Sequence, residues 1–194
     1  ELDVNGLKVL IKRRPNSQTV SAGLFLRGGS RNLTAENSGI ESFMLNVATE
    51  GSKKFPRETM RRELARTAGN IGSGSNFDYS VLSLASTRQN FDRSWEIFTD
   101  IALNPAFAAD DIELTREKIL TGLRSDQDDP DGFLQVLVDK TINEKTAYQN
   151  KPGGTIENIT KLKTEDLRAY HQKVMHTSKL LLIIVGDLDA AALQ

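Results

Sequence analysis

The chain has no cysteine, only two histidines and a single tryptophan among its 194 residues. Without cysteine there are no disulfides and no thiolate metal sites, and a reducing or an oxidising compartment suits it equally. His171 and His176 fall short of the three protein ligands that a catalytic zinc usually takes. Five residues apart, they do not share a helix face, so ordinary surface or helix-end positions are expected for both. An excess of one charge is also missing. Twenty-five basic and 26 acidic residues leave a net charge of −1, which removes any bulk electrostatic case for nucleic acid or a membrane surface. The longest apolar run, Leu180 to Val185, is strand-sized and far too short to span a bilayer. No internal repeat and no low-complexity linker divides the chain.

What is present is the composition of a folded globular protein, 38% hydrophobic and 26% charged, long enough to bury a core. One domain over residues 1–194 is expected. Glu1 already stands at the edge of a strand pattern, and Ala190–Gln194 reads as a helix cut short. Both ends therefore look trimmed, and the missing signal peptide carries no information about compartment.

Asn5-Gly6 is a tight-turn signal, because both residues tolerate positive φ. After it, Leu7, Val9 and Ile11 alternate with Lys8 and Lys12, and Val20, Ala22, Leu24 and Leu26 repeat the two-residue period. From Ser38 to Thr49 the period changes: Ile40, Phe43, Met44 and Val47 line one helix face. Further helices are predicted over 57–68, along Phe91, Trp95, Phe98 and Ala102 up to Pro105, over 109–126, over 133–145, and after a Thr164 cap with Glu165 and Asp166 in its first turn. Gly69–Ser75 leads into a single mid-chain strand near 79–85. Tyr148–Gly154 reads as loop, Leu180–Val185 as a buried strand. Strands this few and irregular do not make repeated βαβ units. The expected class is α+β, a mixed, mainly antiparallel sheet covered by several helices.

Six short motifs appear in a telling order: Asn5-Gly6-Leu7-Lys8-Val9; Gly28-Gly29-Ser30-Arg31; Ser38-Gly39-Ile40; Thr49-Glu50-Gly51-Ser52; Leu103-Asn104-Pro105-Ala106-Phe107; and Val185-Gly186-Asp187. Together they resemble the amino-terminal lobe of the pitrilysin/insulinase family, the inverted zincins. The resemblance implies one lobe of a mitochondrial-processing-peptidase-like metallohydrolase, with a second similar lobe following. It also implies an H-x-x-E-H helix binding zinc through two histidines, with the glutamate as base. Here those positions hold Ser42, Leu45 and Asn46. Helical spacing puts the three on one face, roughly opposite the Ile40/Phe43/Val47 stripe. Serine and asparagine are poor zinc ligands and leucine is no base. The downstream ligand of the family falls near Leu123-Arg124, where nothing is acidic. The resemblance further makes Gly72, Ser73, Gly74 and Ser75 the peptide-binding edge strand.

The expectation is therefore a family homologue with no metal and no catalytic residues of its own. It would be a non-catalytic subunit or lobe that helps form a peptide-binding chamber with a zinc-bearing partner of the same family, the zinc sitting in that partner. The alternatives are an active zinc-dependent metalloendopeptidase using ligands outside this chain, and a purely structural assembly subunit. Peptide is the expected substrate class; the compartment would be periplasmic or secreted bacterial, with the mitochondrion as the other option. Other features have plainer readings. Glu113 and Glu117 flank Arg116 and Lys118 as a solvated, ion-paired face. Gly69/Gly72/Gly74 runs from helix to strand, the reverse of a dinucleotide loop. Lys53, Lys54, Arg57, Arg61 and Arg62 are interrupted by Glu58 and Glu63, which weakens a case for an acidic partner. Asn32-Leu33-Thr34 and Asn158-Ile159-Thr160 match the glycosylation tripeptide, a pattern common by chance.

Overall fold

Asn5 and Gly6 take φ of 53° and 87°, and the turn they make joins β1 (Leu2–Val4) to β2 (Leu7–Arg13). The computed structural model describes residues 1–175 and 180–189; His176 and the helix expected from Ala190 lie outside them. β3 (Thr19–Arg27) follows β2 in the chain but not in the sheet. The last strand, β6 (Leu180–Gly186), inserts between the two, parallel to β2 and antiparallel to β3. With β4 (Asn70–Ser75) and β5 (Tyr79–Thr87) the order is β1-β2-β6-β3-β5-β4, and every pairing except β2–β6 is antiparallel. This is the mixed, mainly antiparallel sheet that the patterns predict. Residue patterns show one strand in the middle of the chain and the structure has two, the second being the edge strand that the resemblance puts at Gly72–Ser75. Gly69–Ser75 has too many glycines and serines to show a strand pattern, yet it pairs along its whole length with β5.

Register assembles the core face. Val9, Leu182, Leu24, Leu82 and Ser73 stand in one row, and Ile11, Ile184, Ala22, Leu84 and Ile71 in the next on that face. On the other face Ser21, Ser83 and Ala85 are exposed. The helices are α1 (Ile40–Ala48), α2 (Arg57–Thr67), α3 (Phe91–Leu103), α4 (Ala109–Asp128), α5 (Pro130–Ile142), α6 (Ile156–Lys161) and α7 (Thr164–Met175). α1 packs against α7, α4 and β4, while α3 lies on β5 with α2 against it. Trp95 stacks between Phe91 and Phe98, with centroids 5.6 and 5.4 Å away.

Helix boundaries follow capping chemistry. Asp129 accepts the Gly132 N–H at 2.8 Å and Pro130 fills the first turn, so α5 starts three residues before the expected Phe133. α6 was not expected; its signal is Thr155, whose hydroxyl accepts the Asn158 N–H at 3.1 Å. α7 begins at Thr164 itself, and the cap bond runs from the Lys163 N–H to the Asp166 carboxylate at 2.8 Å.

The recurring motifs turn out to be pins. Gly28, Ser30 and Arg31 donate backbone N–H groups to Asp78, Asn76 and Phe77 carbonyls at 2.7, 3.1 and 3.1 Å, fastening the tip of the β4–β5 hairpin. Gly29 has φ 49°, and a Cβ there would sit 2.4 Å from the Asn76 carbonyl oxygen, so only glycine fits. Lys53 N–H donates to Asn104 and Ala106 N–H to Gly51, both at 3.0 Å, so the fourth and fifth motifs bind each other. Asp187 receives Arg13, Arg88 and the Asn16 N–H at 3.0, 3.0 and 3.1 Å. Its carboxyl is held below the ordinary range, first by the bond from Arg13 and then by the Asn16 N–H.

Candidate functional site

The candidate site is the side of α1 that meets the sheet's free edge. Gly39 caps the helix at φ 92°, where a Cβ would come within 2.8 Å of the Gly154 Cα. The 148–154 loop therefore crosses directly over the start of α1. Asn46 sits one turn after Ser42: its amide nitrogen donates to the Ser42 carbonyl at 2.8 Å and reaches the Ser42 hydroxyl at 3.4 Å. Across the gap the Ser73 hydroxyl approaches the Asn46 amide oxygen at 3.4 Å. Ser42, Asn46 and Ser73 are thus brought together, all half-buried.

Leu45 does not join them. It shares their side of the helix by spacing but is fully buried in the main core. Spacing alone places it away from the Ile40/Phe43/Val47 stripe, but α1 is enclosed on nearly every side, and an isobutyl group there packs where a carboxylate would be desolvated. The donor set is one hydroxyl and one amide, the latter already engaged with its own helix. It does not fit zinc, whose ligands are imidazole, thiolate and carboxylate. Leu123 and Arg124 add nothing that would change this; among the described residues no three His, Cys, Asp or Glu side chains converge on a point.

Ser73 lies on the helix-facing side of β4, opposite Leu82, and Ser75 shares that side; Gly72 and Gly74 lie on the other. The Asn76 N–H donates to the Tyr79 carbonyl at 2.9 Å. At the two-residue period of an antiparallel ladder this turns the backbone groups of Gly72 and Gly74 toward β5, and those of Ile71, Ser73 and Ser75 out of the free edge.

Glu41 escaped the sequence reading. A carboxylate between Ile40 and Phe43 in an apolar helix is an anomaly that could have flagged it. It is 5% exposed, on the side of α1 away from Ser42. It accepts the Ser80 hydroxyl at 2.5 Å and the Tyr170 phenol at 2.6 Å, tying α1 to β5 and α7. Burial, with the Glu41 charge second, drives the Tyr170 pKa far upward, so the phenol stays a donor. His171 is a buried residue, not the expected surface or helix-end one. Its Nε2 lies 2.8 Å from the Ala102 carbonyl and its ring stands edge-on to Phe107. Glu113 pairs with Arg116 and is largely exposed, but Arg116 itself turns inward to the Ile159 and Leu162 carbonyls, so the expected solvated face holds only in part. Three of the five residues of the basic patch are ion-paired: Arg57 meets Glu50 and Asp111, Arg61 meets Glu50, and Lys54 meets Glu96. Asn158 donates to the Ala35 carbonyl at 2.6 Å, which ties up its amide.

Residues 8–156 match the profile of insulinase (peptidase family M16). The chain belongs to that family. It is 26% identical over 190 residues to the probable mitochondrial-processing peptidase subunit beta of Schizosaccharomyces pombe, covering 95% of this chain and 40% of the relative. It is 22% identical over 185 residues to the cytochrome b-c1 complex subunit 1 of Bos taurus, covering 95% of this chain and 38% of that one. The chain therefore spans about two fifths of these relatives' length, and both are named as subunits. Among solved structures, a peptidase M16 inactive domain from Pseudomonas fluorescens superposes with TM-score 0.89 at 18% identity, over 99% of this chain and 47% of that one. The periplasmic protease PqqL from Escherichia coli gives 0.87 at 18% identity, over 100% and 22%. The M16 lobe fold is thus the fold of this chain. No helix among its described residues is long and apolar enough to cross a membrane.

Proposed function

We propose that this M16 chain is a non-catalytic lobe or subunit that helps build a peptide-binding chamber, the zinc being carried by a partner of the same family. The observation behind the reading is the α1–β4 junction. The place where the family holds metal is filled by Ser42 and Asn46 bonded to one another, with Leu45 in the core, while the adjacent strand edge stays open. An extended peptide added along β4 would bond to Ile71, Ser73 and Ser75 and pass in front of Asn46, the usual mode of strand addition to a sheet edge. Residues 1–194 act in this reading as one lobe, and a second similar lobe belongs to the functional unit. Subunit names among the relatives support a multi-subunit setting. For the compartment we favour the periplasm or secretion from a bacterium, supported by the periplasmic PqqL likeness; the mitochondrial relatives define the alternative.

The test is metal analysis and peptide cleavage on the purified protein after dialysis against zinc. The expected result is no stoichiometric zinc and no hydrolysis by this chain alone, with cleavage appearing only on addition of a zinc-bearing M16 partner. One tightly bound zinc per chain, or metal-dependent cleavage without a partner, overturns the reading.

A further inference from the structure

A cleft of about 350 Å³ opens beyond the end of β4. Its apolar lining is Phe77, Leu123, Val136, Tyr148 and Ile156. It therefore brings together the hairpin tip, α4, α5, the 148–154 loop and the start of α6. Several of these walls are held in place by bonds of their own. Tyr148 stands edge-on to Phe77 at 5.5 Å and its hydroxyl donates to Asp78 at 3.1 Å. Asn150 donates to the Leu33 carbonyl at 2.7 Å, and the Ser38 hydroxyl to the Lys151 carbonyl at 3.0 Å. A cleft with pinned walls and an apolar floor is a preformed receptor for an apolar group, at the small end of the range of about 300–1,000 Å³ for ligand sites.

We infer that this cleft takes one large apolar side chain, aromatic by preference, of an extended peptide paired with β4. The inference rests on the peptide-binding reading of that edge and deepens it by naming what the peptide must carry. Position argues for a peptide side chain over a free small molecule. Phe77 stands in the turn that ends β4, and an extended peptide on the β4 edge travels about 13 Å in four residues, at roughly 3.3 Å per residue, from the level of Ser73 past that turn. Side chains on the α1 side recur every second residue. A peptide whose one residue faces Asn46 thus presents its neighbour four positions along to the cleft. Phe77 and Tyr148 supply aromatic edges and faces for such a ring.

The test uses a fluorescently labelled ten-residue peptide of alternating threonine and alanine carrying one phenylalanine, with the phenylalanine moved stepwise and an all-alanine control at that position. Binding to the intact protein is read by anisotropy. One register of phenylalanine should bind about ten-fold tighter than the control. Val136→Trp, which fills the cleft from a helix with no buried residue, should abolish that preference, bringing the phenylalanine peptide to the control's affinity. Ser73→Pro, which removes an outward N–H, should weaken both peptides equally. Equal binding of phenylalanine and control peptides to the unaltered protein overturns the cleft while leaving the edge reading intact. Failure of both peptides to bind, or insensitivity to Ser73→Pro, overturns the two together.

Discussion

α1 and α5 are both largely apolar, yet they sit in the molecule in opposite ways. Seven of the nine residues of α1 are buried, and even its one acidic side chain has two hydroxyl partners inside the protein. α5 has no buried residue at all; Phe133, Leu134, Leu137, Val138 and Ile142 are all exposed. The difference shows that the helix where the family keeps its chemistry is anchored here by packing. α1 can lose its ligands and remain in place because Phe43, Met44, Leu45 and Val47 anchor it, each such side chain contributing about 1.5–3 kcal/mol on burial. α5 is held to the rest mainly through α4, and its sequence contributes little to stability.

Restoring the family's glutamate would break the comparison most directly. Leu45→Glu should cost about 3 kcal/mol or more, because it buries a carboxylate where nothing bonds to it, and urea denaturation would register the loss. Phe43→Ala should cost a similar amount, about 3–5 kcal/mol, since Phe43 is fully buried and also carries the Arg116 guanidinium 5.1 Å from its ring centre. A cost below 1 kcal/mol for either would mean that α1 is not the anchored element. Tyr170→Phe removes one of two donors to a buried carboxylate and should cost about 1–2 kcal/mol. The Asp187 clamp is read by pH. Its carboxyl is lowered by folding, so its stabilisation is complete above the ordinary value of 3.8 and is lost as pH falls through the lower folded value. Asp187→Asn should therefore flatten the acid limb of a stability–pH curve below that point and leave its neutral part parallel to the original. At the small end, Ile142→Ser in α5, at a site 72% exposed, should stay within about 0.5 kcal/mol. A larger loss would show α5 to be covered in solution.

Much of this was legible in the residues. The turn at Asn5-Gly6, the buried faces of β2 and β3 and the stripe of α1 follow from periodicity and local φ preferences. β4 did not, because Gly72, Ser73, Gly74 and Ser75 carry no alternation; β5 supplies the pairing that makes them a strand. The motifs at Gly28–Arg31, Leu103–Phe107 and Val185–Asp187 could be recognised but not explained. Each meets residues far away in the chain, as with Arg13 and Asp187 or Gly28 and Asp78, and one-dimensional spacing does not encode such meetings. The burial of Leu45 was not legible for a related reason. A helical wheel says which side chains lie opposite a stripe, not whether another helix covers them.

By itself the sequence determined the family and the class of fold, and put Ser42, Leu45 and Asn46 where the resemblance expects zinc ligands, because these are matters of residue identity and local spacing. The tertiary structure alone decided that Leu45 is core, that Glu41 has partners and that the free edge of β4 leads toward an apolar cleft. Those facts depend on contacts between distant segments, which form only when burial of the sheet and helix faces brings the segments together.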